Sequence, residues 1–298
     1  MAKKRKAYVH VGMPGVGDVV EAALVHHRRA LVELGIAVPA KSSQEAFRAA
    51  VEVMRTHKEW GFRRSEVEGQ WAKLCRRVQS GRAAVAFSQP LLSSATSEQV
   101  ALLLDGLAGF EVHVVVTTSA PHAWTTPGDP ETDLGVVLDR WRAAVRKPER
   151  LHVVLVDADA EDPEAAARNA WKAVGKVVGF GTASLGLDSL ARPVLPRPLT
   201  LVPSVPAERA GVLGAVATSW ADRLRAGGYC VHGDVEAVLA VPPVVAEPTG
   251  RPGRLDGVLH DALREVERLR RCNENLEARL EEIERSSRKL RKRVEVVA

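Results

Sequence analysis

A glycine-rich stretch near the amino terminus has the residue types and spacing of an anion-binding loop. It runs from Tyr8 to Val20 and contains Gly12, Gly15 and Gly17. Glycine allows the tight turns that aim several backbone N–H groups at one point, and a helix that follows adds the positive end of its dipole. The pattern therefore predicts a short strand, a turn that could cradle a phosphate group, and a helix.

The same stretch lacks the charged groups that a phosphate-binding loop normally supplies. In the pattern G-x-x-x-x-G-K-[ST], a lysine and a hydroxyl follow the second glycine, whereas Asp18 follows Gly17 here. Asp18 is a favourable N-cap residue, but its carboxylate repels an incoming phosphate. We therefore predict the architecture of an anion site without its positive charge.

Short apolar segments alternate with helical patterns, which predicts a parallel sheet with helices on both faces. The predicted strands are residues 7–11, 36–38, 83–87, 112–118 and 151–156, with a short extended piece within 227–235. The predicted helices are residues 18–34, 44–58, 65–79, 97–109, 133–145, 162–174 and 207–226. Ligands of such sheets bind at the carboxyl ends of the strands, so we expect the site at residues 12–19, 88–89 and 117–124.

Taken in order, these segments resemble the actinobacterial-type sulfotransferase-like proteins, which have a P-loop NTPase-type fold. Gly12, Pro14 and Gly17 match the loop in which active members bind the 5′-phosphosulfate of their donor, 3′-phosphoadenosine-5′-phosphosulfate (PAPS). Ser88 matches a serine at the end of the third strand. The resemblance covers about residues 7–240.

The positions that differ from this family include those that carry positive charge in active members. Gly15 stands where the loop has its lysine, and Ser119 stands where an arginine contacts the 3′-phosphate of the donor. Sulfuryl transfer depends on such charge, and removing one preorganised donor costs on the order of 10²–10³ in rate. The resemblance therefore implies a degenerate donor site with no bound cofactor, formed by Gly12, Pro14, Gly15, Gly17, Asp18, Ser88 and Ser119.

The segment from residue 254 to residue 298 has the heptad pattern of a two-stranded coiled coil. Asn273 at position a sets the register of parallel dimers. The remaining seam residues are Leu259, Val266 and Leu280 at a, and Leu269, Leu276, Ile283 and Leu290 at d. A single docked helix, the alternative, would need a wider apolar stripe. Residues 241–253 hold four prolines and two glycines, so we predict a domain at 1–240, a linker at 241–253 and a dimerising helix at 254–298.

Composition excludes several classes of function. A net charge of +5 is modest for 298 residues, and the basic segments 3–6 and 289–293 have the composition of solvated ends, so we expect no nucleic-acid partner. The three cysteines are widely spaced and form no metal or disulfide pattern. No apolar segment has the length to cross a bilayer. These features predict a cytoplasmic protein without a metal or a membrane partner.

Three interpretations follow. In the first, which we favour, a degenerate sulfotransferase-like domain serves as a structural or interaction module and dimerises through its C-terminal helix. In the second, an active sulfotransferase binds PAPS, or its product 3′-phosphoadenosine 5′-phosphate (PAP), through Ser88 and the backbone loop, and His113 or His122 serves as base toward a hydroxyl or amine acceptor. In the third, the basic ends bind nucleic acid, although no recognisable reading helix accompanies them. No catalytic residue is identified, and whether the protein is an enzyme is left open.

Overall fold

A computed structural model describes residues 4–13, 18–121, 133–156, 163–187 and 207–239, together with residues 277, 280, 285, 287 and 288. The chain divides into two compact units, residues 1–55 with 67–246, and residues 56–66 with 247–298. All the described strands belong to the first unit. None of the described helices has the combination of length and hydropathy needed to cross a bilayer.

The first unit is built on one parallel sheet, as the alternation of strands and helices predicts. Its six strands lie in the order β2-β3-β1-β4-β5-β6, and every adjacent pair is parallel. Their bounds are β1 Lys6–Gly12, β2 Ile36–Ala37, β3 Ala84–Ser88, β4 Glu111–Thr118, β5 Leu151–Leu155 and β6 Cys230–His232. The edge strands β2 and β6 are short, which leaves few unpaired backbone groups for edge-to-edge association.

Nine helices accompany these strands in the described part of the chain. They are α1 Asp18–His26, α2 Arg28–Glu33, α3 Ser43–Met54, α4 Arg64–Val67, α5 Gln70–Gln79, α6 Ser97–Asp105, α7 Leu134–Val145, α8 Pro163–Val178 and α9 Ala207–Ala226. Short 3-10 turns occupy Pro90–Ser94, Pro148–Arg150 and Val235–Leu239. Each of the seven helices predicted within residues 18–226 has a counterpart, but two of them are divided.

The helix predicted over residues 18–34 is interrupted at His27, between α1 and α2. The ring of His27 stacks on Trp171, with 6.2 Å between ring centroids, and its Nε2 lies 2.8 Å from the carbonyl oxygen of Gly186. These contacts come from a segment more than a hundred residues away in sequence. Tertiary contacts of this kind override local helix propensity.

The helix predicted over residues 65–79 is divided at Gly69, whose φ of 79° lies in the left-handed region. The carboxylate of Glu52, on α3, accepts hydrogen bonds from the backbone N–H groups of Gly69 at 2.5 Å and Trp71 at 2.7 Å. Glu52 thus satisfies N–H groups at the start of α5 that have no partner within the helix. Gly69 is therefore the N-cap of α5, and Glu52 on α3 supplies the acceptor for its backbone N–H.

Two apolar layers cover the two faces of the sheet. One contains side chains from α3, α5, α6, α7 and α9, including the fully buried Trp141 and Trp220. The other contains side chains from α1, α2 and α8, including Leu31 and Trp171. Because side chains alternate along a strand, His10 shares its face with Tyr8, whose side chain lies in the second layer.

Candidate functional site

The carboxyl ends of β1, β3 and β4 meet at one edge of the sheet. Strand β1 lies between the other two, and the register pairs His10 with Ser88 and Gly12 with Thr117. The order of the strands reverses at β1, because β2 and β3 lie on one side of it and β4 lies on the other. The helix α1, which follows β1, covers one face of the sheet, whereas α6 and α7, which follow β3 and β4, cover the other. Crevices at such a reversal are where open α/β sheets bind ligands.

Three of the residues predicted for the site lie at this edge. Gly12 is the last residue of β1, Ser88 is the last residue of β3, and Ser119 directly follows β4. Backbone bonds hold the edge together beyond the strand ends, since Met13 N–H donates to the Thr117 carbonyl at 2.9 Å. Three others, Pro14, Gly15 and Gly17, lie outside the described residues, as does His122. Asp18 begins α1, and its side chain is outside the described part.

A buried imidazole joins the three strands at this edge. The Nδ1 atom of His10 lies 2.7 Å from Ser88 Oγ, and its Nε2 atom lies 3.0 Å from Thr117 Oγ1. His10 is 2% exposed, Ser88 4% and Thr117 0%. A neutral imidazole has one donor and one acceptor, and a hydroxyl can take either role. Both ring nitrogens therefore have partners without any charge on the ring.

Burial lowers the pKa of His10 to about 3. The ring is thus neutral at physiological pH and supplies no positive charge to a ligand. His26 is the last residue of α1, about 12 Å along the helix axis from Asp18 at 1.5 Å per residue, and His27 follows it. These two histidines therefore lie away from the sheet edge and do not supply the positive charge of the missing lysine there.

A second polar contact links the edge to the first turn of α1. Gln89 is completely buried, and its backbone N–H donates to the His10 carbonyl at 3.2 Å. Its Nε2 donates to Glu21 Oε2 at 3.2 Å, and its Oε1 accepts from Leu91 N–H at 3.3 Å. Glu21, on α1, is 8% exposed. Gln89, which directly follows β3, therefore links this edge to α1 through the buried side chain of Glu21.

The chemistry available at this edge is that of neutral hydrogen-bonding groups. Its described strand-end residues are Gly12, Met13, Ser88, Gln89, Thr117, Thr118 and Ser119, none of which is lysine or arginine. Thr118 and Ser119 are as deeply buried as the hydroxyls that contact His10. Such a set can orient polar groups but cannot neutralise a phosphate charge.

Two residues at the centre of this arrangement, His10 and Glu21, were not among those predicted for the site. The sequence did contain a signal for His10, because this histidine stands between Val9 and Val11 in an otherwise apolar part of the strand. Glu21 gave no such signal, since an acidic residue in the first turn of a helix is ordinary. Its role depends on Gln89, which is 68 residues away in sequence.

His113, considered above as a base, lies elsewhere. It is near the start of β4, and the register places it opposite Tyr8, not at the carboxyl edge. Its Nε2 lies 3.0 Å from Glu111 Oε1 and its Nδ1 lies 2.9 Å from His152 Nε2. Among the residues for which the structure gives positions, no group of three or more His, Cys, Asp or Glu side chains is arranged to hold a metal ion.

Comparison with known proteins adds no family to these observations. No family model, no curated protein and no solved structure matches the chain. The parallel α/β fold and the neutral polar edge are therefore the observations from which a function can be inferred.

Proposed function

We propose that this chain is a sulfotransferase-like α/β protein whose donor site no longer binds the nucleotide, and that it acts as a structural or interaction module. The observation that carries this proposal is the composition of the edge at β1, β3 and β4. Its hub, His10, is neutral, and none of its described strand-end residues is lysine or arginine. A donor with two phosphorylated positions would meet hydroxyl and amide groups there.

The energetic consequence for donor binding is large. Hydrogen bonds to charged groups contribute about 1.5–3 kcal/mol each. Losing two of them, at Gly15 and Ser119, would weaken binding by about 3–6 kcal/mol, which is roughly 10²–10⁴ in affinity.

The alternative, an active transferase that uses Ser88, has less support. Ser88 does lie at the carboxyl end of β3, where that interpretation requires it. Its hydroxyl, however, is buried and lies 2.7 Å from His10 Nδ1. A ligand would have to displace this contact before it could use the serine.

We further propose that two copies associate through the heptads of residues 254–298. Five positions of this segment are described, Glu277, Leu280, Arg285, Ser287 and Arg288, and each is helical and exposed. Leu280, which the heptad assigns to position a, is 60% exposed. Pairing with a second copy would bury this leucine at the seam, so its exposure in the single chain supports dimerisation through the heptads.

Light scattering on the full-length chain tests this association. We expect a mass of twice the 32.2 kDa of one chain. Introducing Leu276→Asp together with Leu280→Asp should reduce the mass to that of one chain, because two carboxylates would face the seam in each copy. Arg285→Ala, at an outward heptad position, serves as the control and should leave the dimer intact. A monomeric wild type, or a dimer that survives both aspartates, would contradict the proposal.

A further inference from the structure

A chain of hydrogen-bonded side chains crosses three adjacent strands of the sheet, away from the candidate site. His113 on β4, His152 on β5 and His232 on β6 share the face that Tyr8 occupies. The distance from Glu111 Oε1 to His113 Nε2 is 3.0 Å, that from His113 Nδ1 to His152 Nε2 is 2.9 Å, and that from His152 Nδ1 to His232 Nε2 is 3.3 Å. The four side chains thus form one continuous line.

The acid at one end sets the direction of every hydrogen bond in this line. An ionised carboxylate only accepts hydrogen bonds, and the hydrogen bond from His113 lowers the pKa of Glu111. Nε2 of His113 must therefore carry the proton, which leaves its Nδ1 as an acceptor. The same reasoning puts the proton of His152 on Nε2, and then that of His232 on Nε2. All three rings are in one tautomer, and Nδ1 of His232 is the acceptor at the far end.

The surroundings of the line favour the neutral state but differ between its ends. Burial lowers the pKa of His113, of His152 to about 4, and of His232. The positive charge of Lys176, on α8, adds to this lowering of the pKa at His232. The positive charges of Lys6 and Arg150 act against charge on His113, and that of Lys6 also acts against charge on His152. The phenol of Tyr8 and the thiol of Cys230 are further neighbours of the line. The negative charge among these neighbours is that of Glu111, which lies next to His113 and also pairs with Arg150 Nη2 at 3.2 Å.

We propose that Glu111, His113, His152 and His232 form a proton-relay site that holds a single extra proton, passes it along the line to His113, and loosens strand β6 when a second proton binds.

The first proton is accommodated without loss of a hydrogen bond. It binds to Nδ1 of His232, whose Nε2 proton moves to Nδ1 of His152, whose Nε2 proton in turn moves to Nδ1 of His113. His113 keeps its Nε2 proton and becomes an imidazolium ion paired with Glu111. The other two rings now carry their protons on Nδ1, and each contact remains one donor facing one acceptor. No proton is lost, and the charge comes to lie on the ring that contacts the carboxylate of Glu111.

A second proton cannot be accommodated in the same way. With two imidazolium rings in the line, only one ring nitrogen still has a lone pair, whereas the two contacts between rings need one lone pair each. At least one contact would therefore bring two N–H groups together. Either the His113–His152 or the His152–His232 contact must break. Strand β6 has three residues, and the contact of its His232 with His152 is the longer of the two ring contacts, at 3.3 Å against 2.9 Å, so this strand is the element that acidification should release.

Tautomers can be measured directly on the full-length protein. The chain has nine histidines, and in a sample labelled with ¹⁵N-histidine, single His→Gln variants at 113, 152 and 232 assign the three signals. Long-range ¹H–¹⁵N correlation at pH 7.5 should show the Nε2–H tautomer at all three. On acidification, His113 should become doubly protonated first while the other two switch to Nδ1–H. An Nδ1–H tautomer at any of the three at pH 7.5, or independent titration of each ring, would overturn the proposal.

The variant Glu111→Gln separates a relay from a merely structural row of rings. An opposite charge at this range shifts a pKa by about 1–3 units, so removing it should lower the apparent pKa of first protonation by about one unit, near the lower end because Glu111 is partly exposed. Glu149→Gln, which changes an exposed acid near the same strands that pairs with Lys147, should leave the titration unchanged. Equal effects of the two variants, or none from Glu111→Gln, would refute the relay.

Discussion

Replacing His10 by alanine should lower the free energy of unfolding by about 3–5 kcal/mol, the range found for severe losses in protein cores. The substitution empties the volume of a buried ring and removes the partner of two buried hydroxyls, those of Ser88 and Thr117. An unsatisfied buried polar group costs about 1–3 kcal/mol. Urea unfolding followed by circular dichroism measures the change.

Two further variants separate the causes of this loss. His26→Ala, which changes an exposed histidine on α1, should alter stability by no more than about 0.5 kcal/mol. Combining His10→Leu with Ser88→Ala and Thr117→Val removes all three polar groups together, and it should recover much of the loss, since replacing every partner by apolar groups can be nearly neutral. A His10→Ala variant as stable as His26→Ala would show that the imidazole does not join the strands.

Lowering the pH from 7.5 to 4.5 should destabilise the wild-type protein by about 3–5 kcal/mol. Burial lowers the pKa of His10 to about 3 and that of His152 to about 4, whereas an unfolded histidine titrates near 6.5. Between these values the unfolded chain binds more protons than the folded one, so stability is complete above about pH 6.5 and falls as the pH decreases. Each pKa unit corresponds to about 1.4 kcal/mol, and partial exposure reduces the share of His152.

The chosen pH window isolates the histidines from the carboxyl groups. Glu45 is an example. Burial raises its pKa, but hydrogen bonds from Arg77, the Lys41 N–H and Lys73, together with the charge of Arg77, lower it to about 2. Its contribution is present above about pH 4.5 and is lost only below that. Urea titrations at pH 7.5, 6.0 and 4.5 measure the dependence. His10→Ala should flatten most of it and His152→Gln a smaller part. A wild-type stability that does not change over this window would contradict the burial of neutral imidazoles.

The fold could be predicted from the sequence because its signals are local. The runs at residues 112–118 and 151–156 are near-continuously apolar over the length of a strand, and they contain the neighbouring strands β4 and β5. The two divided helices could not be predicted. Their interruption at His27 and Gly69 depends on Gly186 and Glu52, which reach them only in the folded chain.

Which residues share this sheet edge could be predicted, but the hydrogen bonds between them could not. Gly12, Ser88 and Ser119 were expected near one another because they follow parallel strands, and they lie at one edge. The contact between His10 and Thr117 joins residues 107 positions apart, and the line of histidines joins residues up to 80 apart. Such contacts depend on strand order and register, which a single sequence does not specify. The prediction of a coiled coil falls mostly outside the described residues and stays a prediction.

Calorimetric titration of PAP, which is adenosine 3′,5′-bisphosphate, into the full-length protein tests the central claim most directly. The variant with Gly15→Lys, Asp18→Thr and Ser119→Arg serves as the positive control, since it restores the groups that the resemblance assigns to donor binding. We predict no saturable heat with the wild type at micromolar concentrations and measurable binding by the variant. Saturable micromolar binding by the wild type would contradict a site that has lost its positive charge.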